Sequence, residues 1–100
     1  MVDSITHLTF GFEFDKPVNN LPNSIIHLTF EKLSKYNNEL NCLPNFVEQI
    51  ELPVGYSKQI KKFPIQLKKI ICSKNYKFLE DFKNYLIKTY INENEDKKEE

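Results

Sequence analysis

The 100-residue chain has no alanine, no arginine and no tryptophan, and it has only two glycines, two cysteines and one methionine. The two glycines, Gly11 and Gly55, stand far apart, so no glycine-rich loop is available to cradle a phosphate. Cys42 and Cys72 are too few for the disulfide framework of a small secreted domain. The opening MVDSITHL lacks the basic start and apolar run of a secretory signal. No asparagine sits in an Asn-x-Ser or Asn-x-Thr acceptor. Nothing approaches the roughly 18 consecutive apolar residues of a membrane span. Charge of one sign is also missing in excess: 14 basic residues balance 14 acidic ones. No overall field therefore steers the chain to nucleic acid or to an anionic membrane. These absences lead us to expect an intracellular, cytoplasmic chain with no membrane segment. What is abundant is asparagine, lysine, isoleucine and tyrosine, with 40% hydrophobic and 13% aromatic residues, enough for the core of one domain.

The apolar residues are not scattered. SITHLTF, from Ser4, returns as SIIHLTF, from Ser24. Further columns follow these two segments. Ile5, Ile25, Val47 and Leu67 form one, and Leu8, Leu28, Ile50 and Ile70 the next. Phe10, Phe30, Leu52 and Cys72 form a third, and Phe14, Tyr36, Tyr56 and Tyr76 a fourth. Val18, Leu40 and Ile60 form a fifth, and each unit closes on Leu21-Pro22, Leu43-Pro44 or Phe63-Pro64. From Leu8 to Leu28, Ile50 and Ile70 the steps are 20, 22 and 20 residues, the two additional residues falling between Phe30 and Tyr36. Substitution stays apolar within the columns and is free between them, as a shared interior demands.

Within each unit Leu-x-Phe alternation has period two, the mark of a short strand. Leu-Pro-Asn is turn chemistry, because proline fixes φ and asparagine tolerates tight backbone angles. One strand and one return per unit of about 20 residues make a coil, and stacked coils set equivalent strands in parallel about 4.8 Å apart. An antiparallel meander would need hairpin dipeptides such as Asn-Gly or Asp-Gly, which are absent. The expected fold is a leucine-rich-repeat-like solenoid over residues 1–76, with coils at about 4–23, 24–45, 46–65 and 66–76 and one short parallel β-strand in each.

The unit resembles the FNIP repeat, a relative of the leucine-rich repeat. That pattern runs Leu-Pro-x-Ser, Leu or Ile, two free positions, Leu-x-Phe-Gly, two free positions, Phe-Asn-x-Pro and Leu or Ile. SITHLTFGFEFDKPV (Ser4 to Val18) and LPNSIIHLTF (Leu21 to Phe30) follow it closely, with Asp15 where asparagine is usual. Over residues 31–76 only the columns persist. FNIP repeats occur in long arrays in social amoebae and giant viruses, sometimes behind an F-box. The resemblance implies a non-enzymatic protein-interaction scaffold without catalytic residues or cofactors, in the host cytoplasm if viral. The few residues ahead of the first repeat leave no room for an F-box, so an adaptor role in ubiquitin transfer is not carried over.

After Tyr76 the period changes. FLEDFKNYLIKTYI places Phe78, Phe82, Tyr85, Leu86 and Tyr90 at helical spacing, with Glu80 and Asp81 early and Lys88 late, as the helix dipole prefers. The spacing predicts a capping α-helix over residues 77–91 that covers the end of the stack, followed by a disordered charged tail over residues 92–100. The first strand has no such cap, and its open edge suggests self-association.

The outward strand face is the candidate protein-binding surface: His7, His27, Gln49 and Lys69 in one row, Thr9, Thr29, Glu51 and Ile71 in the other, and Phe12 at the rim. His7 and His27, one strand apart, are two ligands where zinc takes three or four, so no metal is expected. Cys72 lies in a core column on the face opposite the histidines, which denies it a catalytic base. Between Leu52 and Leu79 every charge is lysine (Lys58, Lys61, Lys62, Lys68, Lys69, Lys74 and Lys77), which supports an alternative reading as a small anion- or nucleic-acid-binding protein. The aromatics that would stack on bases (Tyr56, Phe63 and Tyr76) belong to core columns, which disfavours nucleic acid. A degenerate repeat fragment without specific function is the remaining alternative. The partner protein is unknown.

Overall fold

The computed structural model describes residues 5–90. The charged tail over residues 92–100, and the first four residues, lie outside the described part. Five short strands, β1 (His7–Phe10), β2 (His27–Phe30), β3 (Gln49–Glu51), β4 (Lys69–Cys72) and β5 (Leu86–Thr89), form one sheet in chain order. Every pairing is parallel. The register joins Leu8 to Leu28, Leu28 to Ile50, Ile50 to Ile70 and Ile70 to Ile87. The sequence columns are therefore the vertical stacks of a parallel β-solenoid.

Two turn devices recur along the stack. Before a strand, Ile25, Val47 and Leu67 donate their N–H to the carbonyls of Pro22, Pro44 and Pro64. Proline suits this corner because its fixed φ starts the turn and its missing N–H is not needed there. After a strand, Phe14, Ser34, Tyr56 and Tyr76 donate to Gly11, Glu31, Pro53 and Ser73. The second coil carries its two additional residues at this corner. The buried Ser34 hydroxyl accepts the Tyr36 N–H at 3.1 Å, so the longer turn leaves no orphaned donor there.

The core is the set of inward columns. Val18, Ile25, Leu28, Phe30, Tyr36, Leu40, Val47, Ile50, Leu52, Tyr56, Ile60, Ile70, Cys72 and Tyr76 are all buried. The first coil is its ragged end: Leu8, Phe10, Phe14 and Leu21 are half-buried, and Ile5 is 38% exposed. Aromatic rings bind the first two coils vertically, with Phe10 and Phe30 stacked at 5.2 Å and Phe14 and Tyr36 at 5.6 Å, while Phe30 and Tyr36 stack at 4.4 Å within the second coil.

The tyrosines add a polar staple. Tyr36, Tyr56 and Tyr76 each donate their phenol to a carbonyl of the preceding coil, that of Lys16, Asn38 and Lys58 respectively. A phenylalanine in this column fills the same space but leaves that carbonyl unpaired. Asparagines tie the return segments: Asn37 Oδ1 accepts the Ser57 N–H at 2.8 Å, and Asn41 Oδ1 accepts the Lys61 N–H at 2.7 Å. Such ladders account for part of the chain's asparagine.

The capping α-helix over residues 77–91 is not there. The chain instead makes one short 3₁₀ turn, Leu79–Phe82, and then β5. The helical spacing of Phe78, Phe82 and Tyr85 has another cause. Phe82 is fully buried and stacks on Tyr76 at 5.1 Å, and Tyr85 tilts against Phe63 at 5.4 Å, so these rings close a further coil. A helix would also have left the outer edge of β4 unpaired. Strand β5 satisfies it, with Leu86 N–H donating to Lys68 and Tyr90 N–H to Cys72. The β-branched Ile87 and Thr89 suit that conformation.

Candidate functional site

Strand alternation sets one side chain in the core and the next on the outer face. The register therefore builds the two outer rows read from the sequence and lengthens both. One row is His7, His27, Gln49, Lys69 and Leu86; the other is Thr9, Thr29, Glu51, Ile71 and Lys88. The face is continuous across five strands and mixed in character.

At its first end the imidazoles of His7 and His27 stack, with centroids 4.4 Å apart and planes 22° from parallel. Thr6 Oγ1 lies 2.9 Å from His7 Nδ1 and orients the ring. Near-parallel stacked rings aim their in-plane lone pairs side by side instead of at a common point, a poor geometry for chelation. Among the described residues no group of three or more His, Cys, Asp or Glu is placed to hold a metal ion. In the second row Thr29 Oγ1 donates to Glu51 Oε1 at 3.4 Å, one strand apart.

Three positions differ from the sequence reading. Ile71 is only 9% exposed and is not offered to a partner. Its row neighbours are Glu51 on one side and Lys88 on the other, and β5 supplies the second wall that a terminal strand would have lacked. Tyr90, assigned by periodicity to a helix, belongs beside the outer face. Its phenol donates to the Leu52 carbonyl at 2.9 Å, and the Lys32 Nζ sits 5.4 Å from its ring centroid. Burial pushes its phenol above the ordinary tyrosine range, with the nearby Glu51 carboxylate adding to the effect. Leu86, 67% exposed at the head of β5, is the other residue missed. The signal for both was the period-two alternation of Leu86-Ile87-Lys88-Thr89-Tyr90, hidden beneath a helical spacing of aromatics.

Phe12 is 50% exposed in the turn after β1. The lysine run is spread over three segments. Lys58, Lys61 and Lys62 lie on the return of the third coil, Lys68 and Lys69 at the entry to β4, and Lys74 and Lys77 after its exit. Within it Lys68 Nζ lies 3.8 Å from Glu48 Oε1. Cys42 is exposed on the return side and Cys72 is buried in its core column. An open groove on the return side is lined by Asn19, Asn20, Asn23, Asn45 and Lys62 together with Leu21, Cys42, Leu43 and Pro44. No helix among the described residues is long and apolar enough to cross a membrane.

Known proteins place the repeat. Residues 3–33 match the FNIP Repeat family model. Over 52 residues the chain is 36% identical to a putative F-box and FNIP repeat-containing protein of Acanthamoeba polyphaga mimivirus. That match covers 51% of this chain and 17% of the viral protein, so the chain spans a small part of its relative. No solved structure matches the chain. The matched segment holds both HLTF strands, and its columns continue in register to β5: over residues 3–33 the chain carries the FNIP repeat.

Proposed function

We propose that the chain is a non-enzymatic protein-interaction module that engages its partner through the outer rows of the sheet. The observation that carries this reading is the continuity of those rows, from His7 and Thr9 through to Leu86 and Lys88. An extended face held by a stacked core is the kind of surface that repeat solenoids use to bind other proteins. The viral relative, by its name, joins such repeats to an F-box in one chain, which fits a repeat that recognises while another segment acts. Burial of Ile70 and Cys72, as complete as that of Leu28, supports an intact module over a decayed fragment.

The face itself has few of the aromatic and arginine side chains that dominate binding energy, so its affinity rests on Phe12, Tyr90 and Leu86 at the periphery. The test is recovery of a specific partner from native host lysate by the tagged full chain and its variants. Phe12→Ala and the double change His7→Ala/His27→Ala weaken recovery at least several-fold while the melting curve remains cooperative. Lys61→Ala/Lys62→Ala leaves recovery unchanged. Loss of recovery in the lysine variant alone, with the face variants binding normally, would move the working surface to the return side and replace this reading.

A further inference from the structure

We propose that the two ends of the solenoid bind one another, so that a second copy of this chain stacks its first coil on the last coil of its neighbour, head to tail. The hydrogen-bond register carries this inference, independently of what the outer face binds. In a parallel ladder the N–H and C=O of one residue point to the same neighbouring strand, and those of the next residue to the opposite side. On β1, Thr6 accepts from Ile26 and His27 of the next coil, so the backbone of His7 and Thr9 points away from β2. On β5, Leu86 donates to Lys68 and Tyr90 to Cys72, so the backbone of Ile87 and Thr89 points away from β4.

The two edges match. Repeating the β4–β5 register once more places His7 of a second copy beside Leu86, Leu8 beside Ile87, Thr9 beside Lys88 and Phe10 beside Thr89. The His7 and Thr9 N–H groups then meet the carbonyls of Tyr85 and Ile87, and the His7 and Thr9 carbonyls meet the N–H groups of Ile87 and Thr89. The side chains agree as well. The first end shows Leu8, Phe10, Phe14 and Leu21, each only half-buried, and the last end shows Leu79, Tyr85 and Ile87 in the same condition. No charged residue stands in the inward columns of either edge strand. A junction of this kind repeats the contact that already holds neighbouring coils within the chain, so it joins unlike surfaces and does not close on itself.

Site-specific crosslinking of the full chain tests the register. In a Cys42→Ser background, Thr9→Cys and Lys88→Cys are made as separate variants and mixed under mild oxidation. Across the proposed junction the two positions lie on adjacent strands, about 4.8 Å apart, within the span of a disulfide. Within one copy they lie four strands apart, roughly 19 Å, and cannot join. Head-to-tail stacking predicts a mixed disulfide between the two variants in at least tenfold excess over either self-pair. A predominant Thr9→Cys self-pair would indicate a closed pairing of first edges and overturn the proposal. Monomeric mass at all concentrations, with no preferred disulfide, would also overturn it. As a second arm, Thr9→Pro removes an outward N–H that the β1–β2 ladder does not use. It raises the concentration at half-association at least tenfold while circular dichroism keeps its strand signal; association unchanged by this substitution contradicts the register.

Discussion

Replacement of Leu28 by alanine probes the stack at its centre. Leu28 is fully buried, with Leu8 beside it on one strand and Ile50 on the other. The change removes three carbon groups, about 2.4 kcal/mol of transfer free energy at about 0.8 kcal/mol each. Both walls belong to hydrogen-bonded strands, so the site collapses little and a cavity term adds to the loss, for a total of about 3–5 kcal/mol. Leu8→Ala is the internal control. Leu8 occupies the same column but is half-buried at the ragged end, with a registered neighbour on one side only. Its loss opens to solvent in place of a closed void and costs about 1–1.5 kcal/mol. Urea unfolding at matched m-values measures both. Against a total stability of about 5–15 kcal/mol, Leu28→Ala takes a large fraction. A Leu28→Ala cost below about 0.5 kcal/mol, or one no larger than that of Leu8→Ala, would refute the stacked columns.

Tyr76→Phe removes the phenol that reaches Lys58 and costs about 0.5–1.5 kcal/mol in the same assay, whereas Tyr85→Phe, for which the structure shows no phenol staple, costs less. The stapled phenols also set an alkaline limit. Burial raises the pKa values of Tyr36, Tyr56, Tyr76 and Tyr90 above the free value of 10.0, so the folded state holds these protons longer than the unfolded state. Stability is therefore fully present below pH 10 and falls as pH rises beyond it, and Tyr56→Phe moves the alkaline unfolding midpoint upward, followed by ultraviolet tyrosinate absorbance. Deleting the chain from Phe78 onward strips Phe82 and β5 from the edge of β4; the product loses cooperative unfolding or associates, and an unchanged melting temperature with monomeric mass would show the last coil to be dispensable.

The inward columns were legible because a stacked interior tolerates only apolar substitution. Leu8, Leu28, Ile50 and Ile70 differ in identity and agree in type. The parallel direction followed from the lack of hairpin dipeptides and from the proline corner, which the structure repeats ahead of β2, β3 and β4. The last coil was not legible, for a geometric reason. From Ile70 to Ile87 the step is 17 residues, shorter than the earlier steps of 20 and 22, so Ile87 falls outside the period. Its return is cut to a 3₁₀ turn, and rings packed in a tight turn recur at the same spacing as rings on a helix face. The outer rows were legible from alternation alone. What alternation does not reveal is cover: whether Ile71 is open depends on a strand beyond it, and Tyr90 belongs to the segment whose period was misleading.

The account stands on parallel, in-register strands that run on through residues 86–89, and solution NMR on the isotopically labelled full chain reads this directly. The expected spectrum has interstrand contacts joining His7 to His27, Ile50 to Ile70 and Ile70 to Ile87, with extended-strand chemical shifts from Leu86 to Thr89 and slow exchange of the Leu86 and Tyr90 amides. Helical shifts running unbroken through residues 78–90, or contacts that pair these strands in opposite directions, would contradict it.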